Sequence, residues 1–246
     1  MNATEKASNM KDTVLFDLGN TLVYYFERHE FPKILKQAIT EVQNYLHKKG
    51  FLHVSSDVMW SKVKEENHEA CDYRIRPLEE RLIRIFQMAD LALSNEVVKN
   101  MCRCFMKPIF VRSHLYEDTL PTLKQLKSEN YKIGIVSNTT WGSPAFLWHE
   151  EIERLGLSKY TDATVFCRNV GWRKPAKQIF EYTLEKLQAL PQNCVFVGDD
   201  PRWDLVGPRN VGITPIIIDR KAIMPQAKET NKISNLHELI SKLKIL

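Results

Sequence analysis

The sequence predicts an α/β fold in which a parallel sheet carries helices on both faces and a helical unit is inserted near its beginning. From Tyr116 onward, short apolar segments typical of strands alternate with amphipathic segments typical of helices. This alternation is the pattern of a parallel sheet covered by helices. One earlier apolar segment, Thr13 to Phe16, precedes a long stretch with a helical pattern. We expect this first strand to belong to the same sheet, so that the helical stretch interrupts the sheet domain.

The inserted stretch is predicted to fold as a small bundle of four amphipathic helices. Apolar residues recur at helical spacing after Phe31, and Gly50 is a favourable stop for this first helix. A second helix is expected over residues 57–70, a third begins at Pro77, and Ser94 caps a fourth.

The sheet domain is predicted over residues 1–25 and 112–246, on either side of an inserted helical domain over residues 26–111. Its later strands are expected at residues 132–137, 164–166, 194–197 and 215–218. Helices are expected at residues 118–130, 144–155 and 176–190, and a last one follows Asn235, which with Glu238 resembles a capping pair.

Composition and length exclude several classes of protein. The chain has 246 residues, of which 43% are hydrophobic and 26% are charged, as in an ordinary soluble globular protein. Its net charge of +5 comes from scattered basic residues, so we expect no nucleic-acid partner. We also expect no membrane partner, because no run of about 18 apolar residues is present and residues 1–11 lack the apolar segment of a signal peptide. The oligomeric state is left open.

The cysteines predict a reducing, cytoplasmic setting. They are Cys71, Cys102, Cys104, Cys167 and Cys194, an odd number without the spacing of a disulfide framework. Cys102 and Cys104 lie close together in the chain, but they make a poor zinc site because no second Cys/His pair is near them.

Polar residues follow two of the apolar strands in a way that suggests a reactive site. Asp17 directly follows the first strand, in the string DLGNTL, and a carboxylate at the carboxyl end of a buried strand lies where open α/β sheets bind ligands. Ser137 ends the strand at residues 132–137, and Asn138 follows it. Their hydroxyl and amide groups are suitable hydrogen-bond donors to a phosphoryl oxygen.

Two further motifs supply charge of both signs. Lys174 lies in the string RKP just ahead of a helix, which favours it over its neighbours as a fixed cation. Asp199 and Asp200 come just after the strand at residues 194–197, and Asp204 follows a turn later. A nucleophile, a hydrogen-bond donor, a fixed cation and metal-binding acids together make a phosphoryl-transfer site.

As an ordered set, the four motifs resemble those of the haloacid dehalogenase-like hydrolase superfamily. The resemblance extends over nearly the whole chain and implies a Rossmann-like core with a helical cap inserted just after the first motif. It implies that Asp17 attacks the substrate, forms an aspartyl intermediate and contacts Mg²⁺. It further implies that Ser137 and Lys174 bind the phosphoryl group, and that Asp199 and Asp204 hold the metal or its bound water.

Gly19 departs from the common phosphatase pattern of this superfamily. That pattern has a second Asp at this position, which protonates the leaving group and later activates water. The carbonyl of Gly19 can still ligate a cation, but the acid/base role needs another group, and Asp200, Glu27 and Asp72 are candidates. Otherwise the leaving group needs little help, as with acyl phosphates and anomeric sugar phosphates, because good leaving groups gain less from general acid catalysis.

Three functions are compatible with these motifs. The first is an Mg²⁺-dependent phosphatase of a small phosphorylated metabolite, since hard oxygen ligands favour magnesium over zinc. The second is a metal-independent 2-haloacid dehalogenase-type hydrolase, which also lacks the second Asp but does not usually keep the Gly-Asp-Asp string. The third is a catalytically weak phosphate-binding or regulatory protein on the same fold.

The residues that contact the substrate are harder to predict than the motif residues. Aromatic and arginine side chains in or near the inserted segment are candidates, and so is one tryptophan after the second motif. They are Tyr24, Tyr25, Trp60, Tyr73, Arg74, Arg76 and Trp141.

Overall fold

The protein is built on a six-stranded sheet in which every neighbouring pair is parallel. A computed structural model describes residues 11–68, 71–89, 93–222 and 231–246. The strand order is β5-β4-β1-β6-β7-β8. The strands are β1 (Thr13–Phe16), β4 (Lys132–Ser137), β5 (Ala163–Phe166), β6 (Cys194–Gly198), β7 (Thr214–Ile218) and β8 (Asn231–Ile233). The predicted α/β class and parallel sheet are confirmed.

Helices cover both faces of this sheet. The helices after the insertion are α5 (Thr119–Ser128), α6 (Ala145–Arg154), α7 (Cys167–Val170), α8 (Lys177–Leu187), α9 (Pro201–Asp204), α10 (Val206–Asn210) and α11 (Leu239–Leu243). Val14 and Phe16 of β1 join one core with Leu123 of α5, whereas Leu15 joins a second core with Phe180 of α8. Because side chains alternate across a strand, the near-continuous apolar sequence of β1 fills both cores.

The described residues of the inserted segment form four α-helices, as predicted. They are α1 (Phe31–Lys48), α2 (Ser56–Glu66), α3 (Leu78–Ile85) and α4 (Asn95–Phe110). The side-chain oxygen of Ser94 accepts from the backbone N–H of Val97, which confirms the predicted cap of α4. Gly50 has a φ of +73° just after α1, a conformation that suits glycine at a helix end.

A short antiparallel ribbon flanks the insertion and was not predicted. It pairs β2 (Val23–Tyr24) with β3 (His114–Leu115). With two residues in each strand, the ribbon is too short to give an alternating sequence pattern. The domain limits at residues 25/26 and 111/112 stay predictions. No helix in the described part of the chain combines the length and apolar character needed to cross a membrane.

Other differences concern the ends of elements. The second helix ends at Glu66 and not at residue 70, and residues 69–70 lie outside the described ones. The helix predicted to reach residue 190 ends at Leu187, because Gln188 adopts a left-handed conformation with a φ of +49°. Asn235 does not cap the last helix through its side chain; its amide instead donates to Glu238 at 3.0 Å.

Candidate active site

Asp17 lies at the middle of the sheet, at the carboxyl end of β1. This strand lies between β4 and β6, and the Asp17 N–H donates to the Val197 carbonyl of β6 at 2.8 Å. Ser137, the last residue of β4, and Asp199, which follows β6, therefore reach the same edge of the sheet. Open parallel sheets bind ligands at this edge.

Lys174 is the cation of the site. Its side chain is only 2% exposed, and its Nζ lies 2.7 Å from Oδ1 of Asp17 and 2.7 Å from Oδ1 of Asp204. Burial alone would lower the pKa of Lys174, but the charges of both carboxylates and their hydrogen bonds raise this pKa above its ordinary value. The side chain is therefore a permanent ammonium ion next to Asp17.

The residues on either side of Lys174 in the sequence do not contact the carboxylates of the site. Lys177 pairs with Glu181 at the surface, at 3.0 Å. The guanidinium of Arg173 lies 5.4 Å from the centre of the Trp203 ring. The choice of Lys174 over these two basic residues therefore agrees with the geometry.

Ser137 and Asn138 hold the other partners in place. The Ser137 hydroxyl donates to Oδ1 of Asp17 at 2.8 Å. The Asn138 side chain accepts from the Lys174 N–H at 2.8 Å and donates to the Lys174 carbonyl at 3.3 Å. Asn138 thus fixes the backbone of Lys174, a positioning contact that the sequence did not predict. Whether it also contacts a substrate stays a prediction.

Asp17, Asp199 and Asp204 form a cluster of carboxylates whose ligand atoms lie within 4.8 Å of one another. Burial, and then the charges of Asp17 and Asp204, raise the pKa of Asp199 well above its ordinary value. Burial raises the pKa of Asp204 to about 7, against the opposing charge of Lys174. Three carboxylates facing one ammonium leave an excess of negative charge. An all-oxygen donor set with this charge fits Mg²⁺.

Two backbone features bring Asp204 to this cluster. Its Oδ2 accepts from the Asp200 N–H at 3.1 Å. A Cβ atom added to Gly198 would overlap the Asp204 carboxylate, so the glycine that ends β6 permits the close approach. This contact gives a physical reason for the glycine in the Gly-Asp-Asp string.

A comparison with known families now identifies the fold and the set of motifs. A family model described as haloacid dehalogenase-like hydrolase matches residues 11–212. The chain belongs to this family. The match contains all four motifs and the insertion between the first and the second.

Relatives within the haloacid dehalogenase-like family include enzymes of different activities. The chain is 34% identical over 104 residues to a glyceraldehyde 3-phosphate phosphatase from Methanothermobacter thermautotrophicus, a match that covers 42% of this chain and 44% of the relative. The chain thus spans less than half the length of this curated relative.

Two solved structures of the family cover nearly the whole chain. A HAD phosphatase from Thermococcus onnurineus has a TM-score of 0.65 and 27% identity, and the match covers 95% of this chain and 98% of that chain. A 2-haloacid dehalogenase from Pseudomonas syringae pv. Tomato has a TM-score of 0.67 and 19% identity, with 96% and 99% covered. Both structures share the fold, so the fold alone does not separate a phosphatase from a dehalogenase.

The site lies in a cleft of about 670 Å³, and Gly19 lines it together with Asp17 and Asp199. A Cβ atom added to Gly19 would lie 3.7 Å from Cδ2 of Tyr25, which is an ordinary van der Waals contact. The structure therefore leaves room for a side chain at this position. The proposal that the Gly19 carbonyl ligates a metal stays a prediction.

The three candidates for a replacement acid are all paired with basic residues. Asp200 lines the cleft and forms an ion pair with Arg202 at 2.5 Å. Burial acts to raise the pKa of Asp200, but the hydrogen bonds from Arg202 lower it below its ordinary value. Neither of the other two candidates lines the cleft. Glu27 pairs with Lys221 at 2.5 Å, and Asp72 pairs with Arg76 at 2.9 Å. None of the three therefore offers an unpaired carboxyl group to the cleft.

Of the predicted substrate contacts, four line the cleft: Tyr25, Arg74, Arg76 and Trp141. Tyr24, Trp60 and Tyr73 do not. Arg81 was not among the predicted contacts, although the sequence contains a signal for it. Arg81 occupies the buried face of α3 together with Leu78, Leu82 and Ile85, and an arginine on an apolar helix face is unusual enough to suggest a function.

Proposed function

We propose that the protein is an Mg²⁺-dependent phosphatase that acts on a small phosphorylated metabolite through an aspartyl-phosphate intermediate. The observation that carries this proposal is the position of Asp17. Its Oδ1 accepts from both Ser137 and Lys174, and its carboxylate belongs to the cluster with Asp199 and Asp204. A carboxylate fixed in this way next to donors and metal-binding acids is suited to attack phosphorus.

The residues divide the chemistry between them. An oxygen of the Asp17 carboxylate attacks the phosphorus atom, the bond between phosphorus and the leaving-group oxygen breaks, and water later hydrolyses the aspartyl phosphate. Lys174 and the Ser137 hydroxyl bind phosphoryl oxygens and fix the orientation of the Asp17 carboxylate. Asp17, Asp199 and Asp204, with the carbonyl of Gly19, would hold Mg²⁺, which offsets the negative charge of the phosphoryl group when it is bound.

The preferred substrates have good leaving groups. Gly19 carries no side chain, and the candidate acids Asp200, Glu27 and Asp72 are engaged by basic partners. An alkoxide leaving group needs a proton donor. Without that donor the reaction rate falls by about 100-fold or more. Acyl phosphates and anomeric sugar phosphates need less help. Both the named relative and one of the structural neighbours are phosphatases, which supports the reaction class.

The decisive experiment is phosphate release from a panel of phosphorylated metabolites, with Mg²⁺ and with EDTA. We expect release that requires Mg²⁺, is fastest for anomeric and acyl phosphates, and is lost in Asp17→Asn. Asp200→Asn is the matched control, because Asp200 is held by Arg202 and not by Lys174. It is expected to retain activity. No release above the Asp17→Asn background from any substrate would refute the proposal.

A dehalogenase is the second candidate, because of one specific observation. Gly19 lacks the acid that phosphatases of this family commonly use, and a carbon–halogen bond needs no protonation of its leaving group. The three-carboxylate cluster argues against it, because a metal-independent reaction gives no reason to concentrate negative charge. Halide release in EDTA would favour the dehalogenase. Binding of a phosphate analogue without any turnover would favour a regulatory protein.

A further inference from the structure

The cleft above the carboxylate cluster is rich in arginine. Its arginines are Arg28, Arg74, Arg76, Arg81, Arg173 and Arg202. Two of them form ion pairs with aspartates, Arg76 with Asp72 and Arg202 with Asp200. Within the part of the chain that the structure describes, neither Arg81 nor Arg173 has an acidic partner. Each of these two guanidinium groups therefore lines the cleft without an ion pair of its own.

Arg81 is the most deeply placed of these arginines. Its residue is 6% exposed, and its Nε is buried without a hydrogen-bond partner. Nη1 donates to the Glu66 carbonyl, but the Glu66 carboxylate is bound by Arg84. The guanidinium lies 5.2 Å from the centre of the Trp141 ring, which also lines the cleft. A buried, unpaired guanidinium is costly unless it meets an anion.

Arg173 brings a second unpaired guanidinium into the cleft. It directly precedes Lys174 in the chain, and its Nε is also buried without a partner. Its guanidinium contacts the Trp203 ring, a further residue of the cleft lining. An anion at Arg173 would therefore lie near the phosphoryl site without occupying it.

Arg81 and Arg173 line the same cleft, and the charge of Arg173 acts on the pKa of Arg81. The pKa of Arg81 lies below its ordinary value, first because of burial, against the opposing charge of Glu66. The like charges of Arg84, Arg173 and Arg76 lower it further. A ligand anion between Arg81 and Arg173 would relieve this repulsion.

The backbone fixes both arginines relative to Lys174. The loop that precedes α3 pairs with the chain just before Lys174: Ile75 N–H donates to the Gly171 carbonyl at 3.1 Å, and Arg173 N–H donates to the Tyr73 carbonyl at 2.8 Å. A Cβ atom added to Gly142, which has a φ of +67°, would overlap the Arg76 carbonyl. These contacts hold the loop that precedes α3 against the sheet domain before any ligand binds.

We propose that Arg81 and Arg173 bind a second anionic group of the substrate, a carboxylate or a second phosphate. This inference rests on the proposed function, because it names the substrate class for the same site. The substrate class is then a small phosphorylated metabolite with a further negative charge. The planar guanidinium suits either anion, since it donates two parallel hydrogen bonds.

Three probes with one leaving group test the proposal. Glucose 1-phosphate, glucose 1,6-bisphosphate and glucuronic acid 1-phosphate share the anomeric phosphate and differ only in the group on carbon 6. We measure binding of each to the Asp17→Asn protein in Mg²⁺, together with kcat/KM for release of the anomeric phosphate by the unmodified protein. Binding of at least one of the two probes with a second anionic group is expected to be tenfold tighter or more than binding of glucose 1-phosphate. The better of the two identifies the second anion as phosphate or carboxylate.

Substitutions assign the preference to the two arginines. In Arg173→Gln and in Arg81→Gln, the ratio of affinities between the preferred probe with a second anionic group and glucose 1-phosphate is expected to fall toward one. Arg103→Gln is the matched control: it removes an exposed arginine, paired with Glu150 at the surface, and should keep the ratio. If buried Arg81→Gln does not fold, Arg173→Gln provides the test alone, because Arg173 is less buried.

The outcomes separate this inference from the proposed phosphatase. Equal binding of all three probes, or a preference that survives Arg173→Gln, overturns the inference even if phosphate is released. A preference that depends on Arg173 supports it even if no probe is hydrolysed, in which case the phosphatase proposal fails for these substrates and the site is an anion-binding one.

Discussion

Two buried clusters of charge among the described residues are built differently. In the first, Lys174 faces the carboxylates of Asp17, Asp199 and Asp204. In the second, Arg220 makes hydrogen bonds of 2.8 and 3.0 Å to the two oxygens of Asp118. One cation thus meets one anion at the second cluster, whereas the first keeps an excess of negative charge. The difference indicates that a cluster in which cation and anion balance supports the fold. A cluster with an excess of negative charge, the unbalanced one, is suited to bind a cation.

The balanced cluster also supports the unbalanced one. Arg220 donates to the Thr21 carbonyl at 2.7 Å, and Thr119 donates to the Leu22 carbonyl at 2.7 Å. These bonds hold the loop that follows Asp17. The carbonyl of Thr21 therefore helps to hold this loop, while the Thr21 hydroxyl is buried without a hydrogen-bond partner.

Removing the cation of the unbalanced cluster should have the largest effect. In Lys174→Met, we expect phosphate release to fall by about 100- to 1,000-fold, the usual loss when one preorganised donor is removed. Lys177→Met is the control, because Lys177 is exposed and pairs only with Glu181; its activity should match that of the unmodified protein. A Lys174→Met protein with unchanged kcat would show that the cluster does not perform the chemistry.

Adding a titratable group to the unbalanced cluster should have the next largest effect. In Gly19→Asp, we expect hydrolysis of glycerol 3-phosphate, which has a poor leaving group, to rise by about 100-fold. Hydrolysis of glucose 1-phosphate should change much less. Gly19→Asn has the same size but cannot donate a carboxyl proton, so it should not reproduce the gain. An equal gain in both variants, or no gain in Gly19→Asp, would contradict the account of Gly19.

The comparison also shows which features can be predicted from a sequence. The residues Asp17, Ser137, Lys174 and Asp199 could be predicted because each follows or precedes a strand or helix with a clear apolar pattern. Such a pattern fixes both the element and its end, and the carboxyl ends of parallel strands meet at one edge. The alternation of strand-like and helix-like segments predicted the fold class as well.

Features made by long-range contacts could not be predicted in this way. Asn138 holds the Lys174 backbone across 36 residues of chain, and Arg220 reaches Asp118 across 102. No local pattern encodes such a pairing. The β2–β3 ribbon could not be predicted for a related reason, because two residues per strand show no alternation of apolar and polar side chains. Arg81 is the exception, since its place on the apolar face of α3 is visible in the sequence.

Breaking the balanced cluster should affect stability more than chemistry. In Asp118→Asn, Arg220 keeps its charge without a counter-ion, and we expect the free energy of unfolding to fall by about 3 kcal/mol. Thermal unfolding then shifts down by about 6 to 12 °C, while kcat of the folded protein stays within about tenfold of the original. Glu150→Gln, which removes an exposed ion pair with Arg103, should cost less than about 1 kcal/mol. The opposite pattern, an intact melting temperature with lost activity, would place Asp118 in the chemistry.

The smallest expected effect is a pH-dependent stabilisation by Mg²⁺ at the unbalanced cluster. Burial raises the pKa of Asp204 to about 7, whereas in the unfolded chain this pKa stays near its ordinary value. The folded, metal-free protein therefore binds more protons than the unfolded chain between about pH 4 and 7. The contribution of Asp204 to the free energy of unfolding of this metal-free protein therefore falls as the pH rises through that window.

Mg²⁺ should reverse this fall, because the cation takes the place of the proton among the carboxylates. At pH 8 fewer protons compete with it, so Mg²⁺ at 100 times its Kd should stabilise the fold by about 2.7 kcal/mol, or roughly 5 to 10 °C in melting temperature. At pH 6 the shift should be smaller. Asp204→Asn should reduce this difference between the two pH values, and Asp200→Asn should keep it, because Arg202 already neutralises Asp200. A shift that is larger at pH 6 than at pH 8 would mean that Mg²⁺ binds elsewhere.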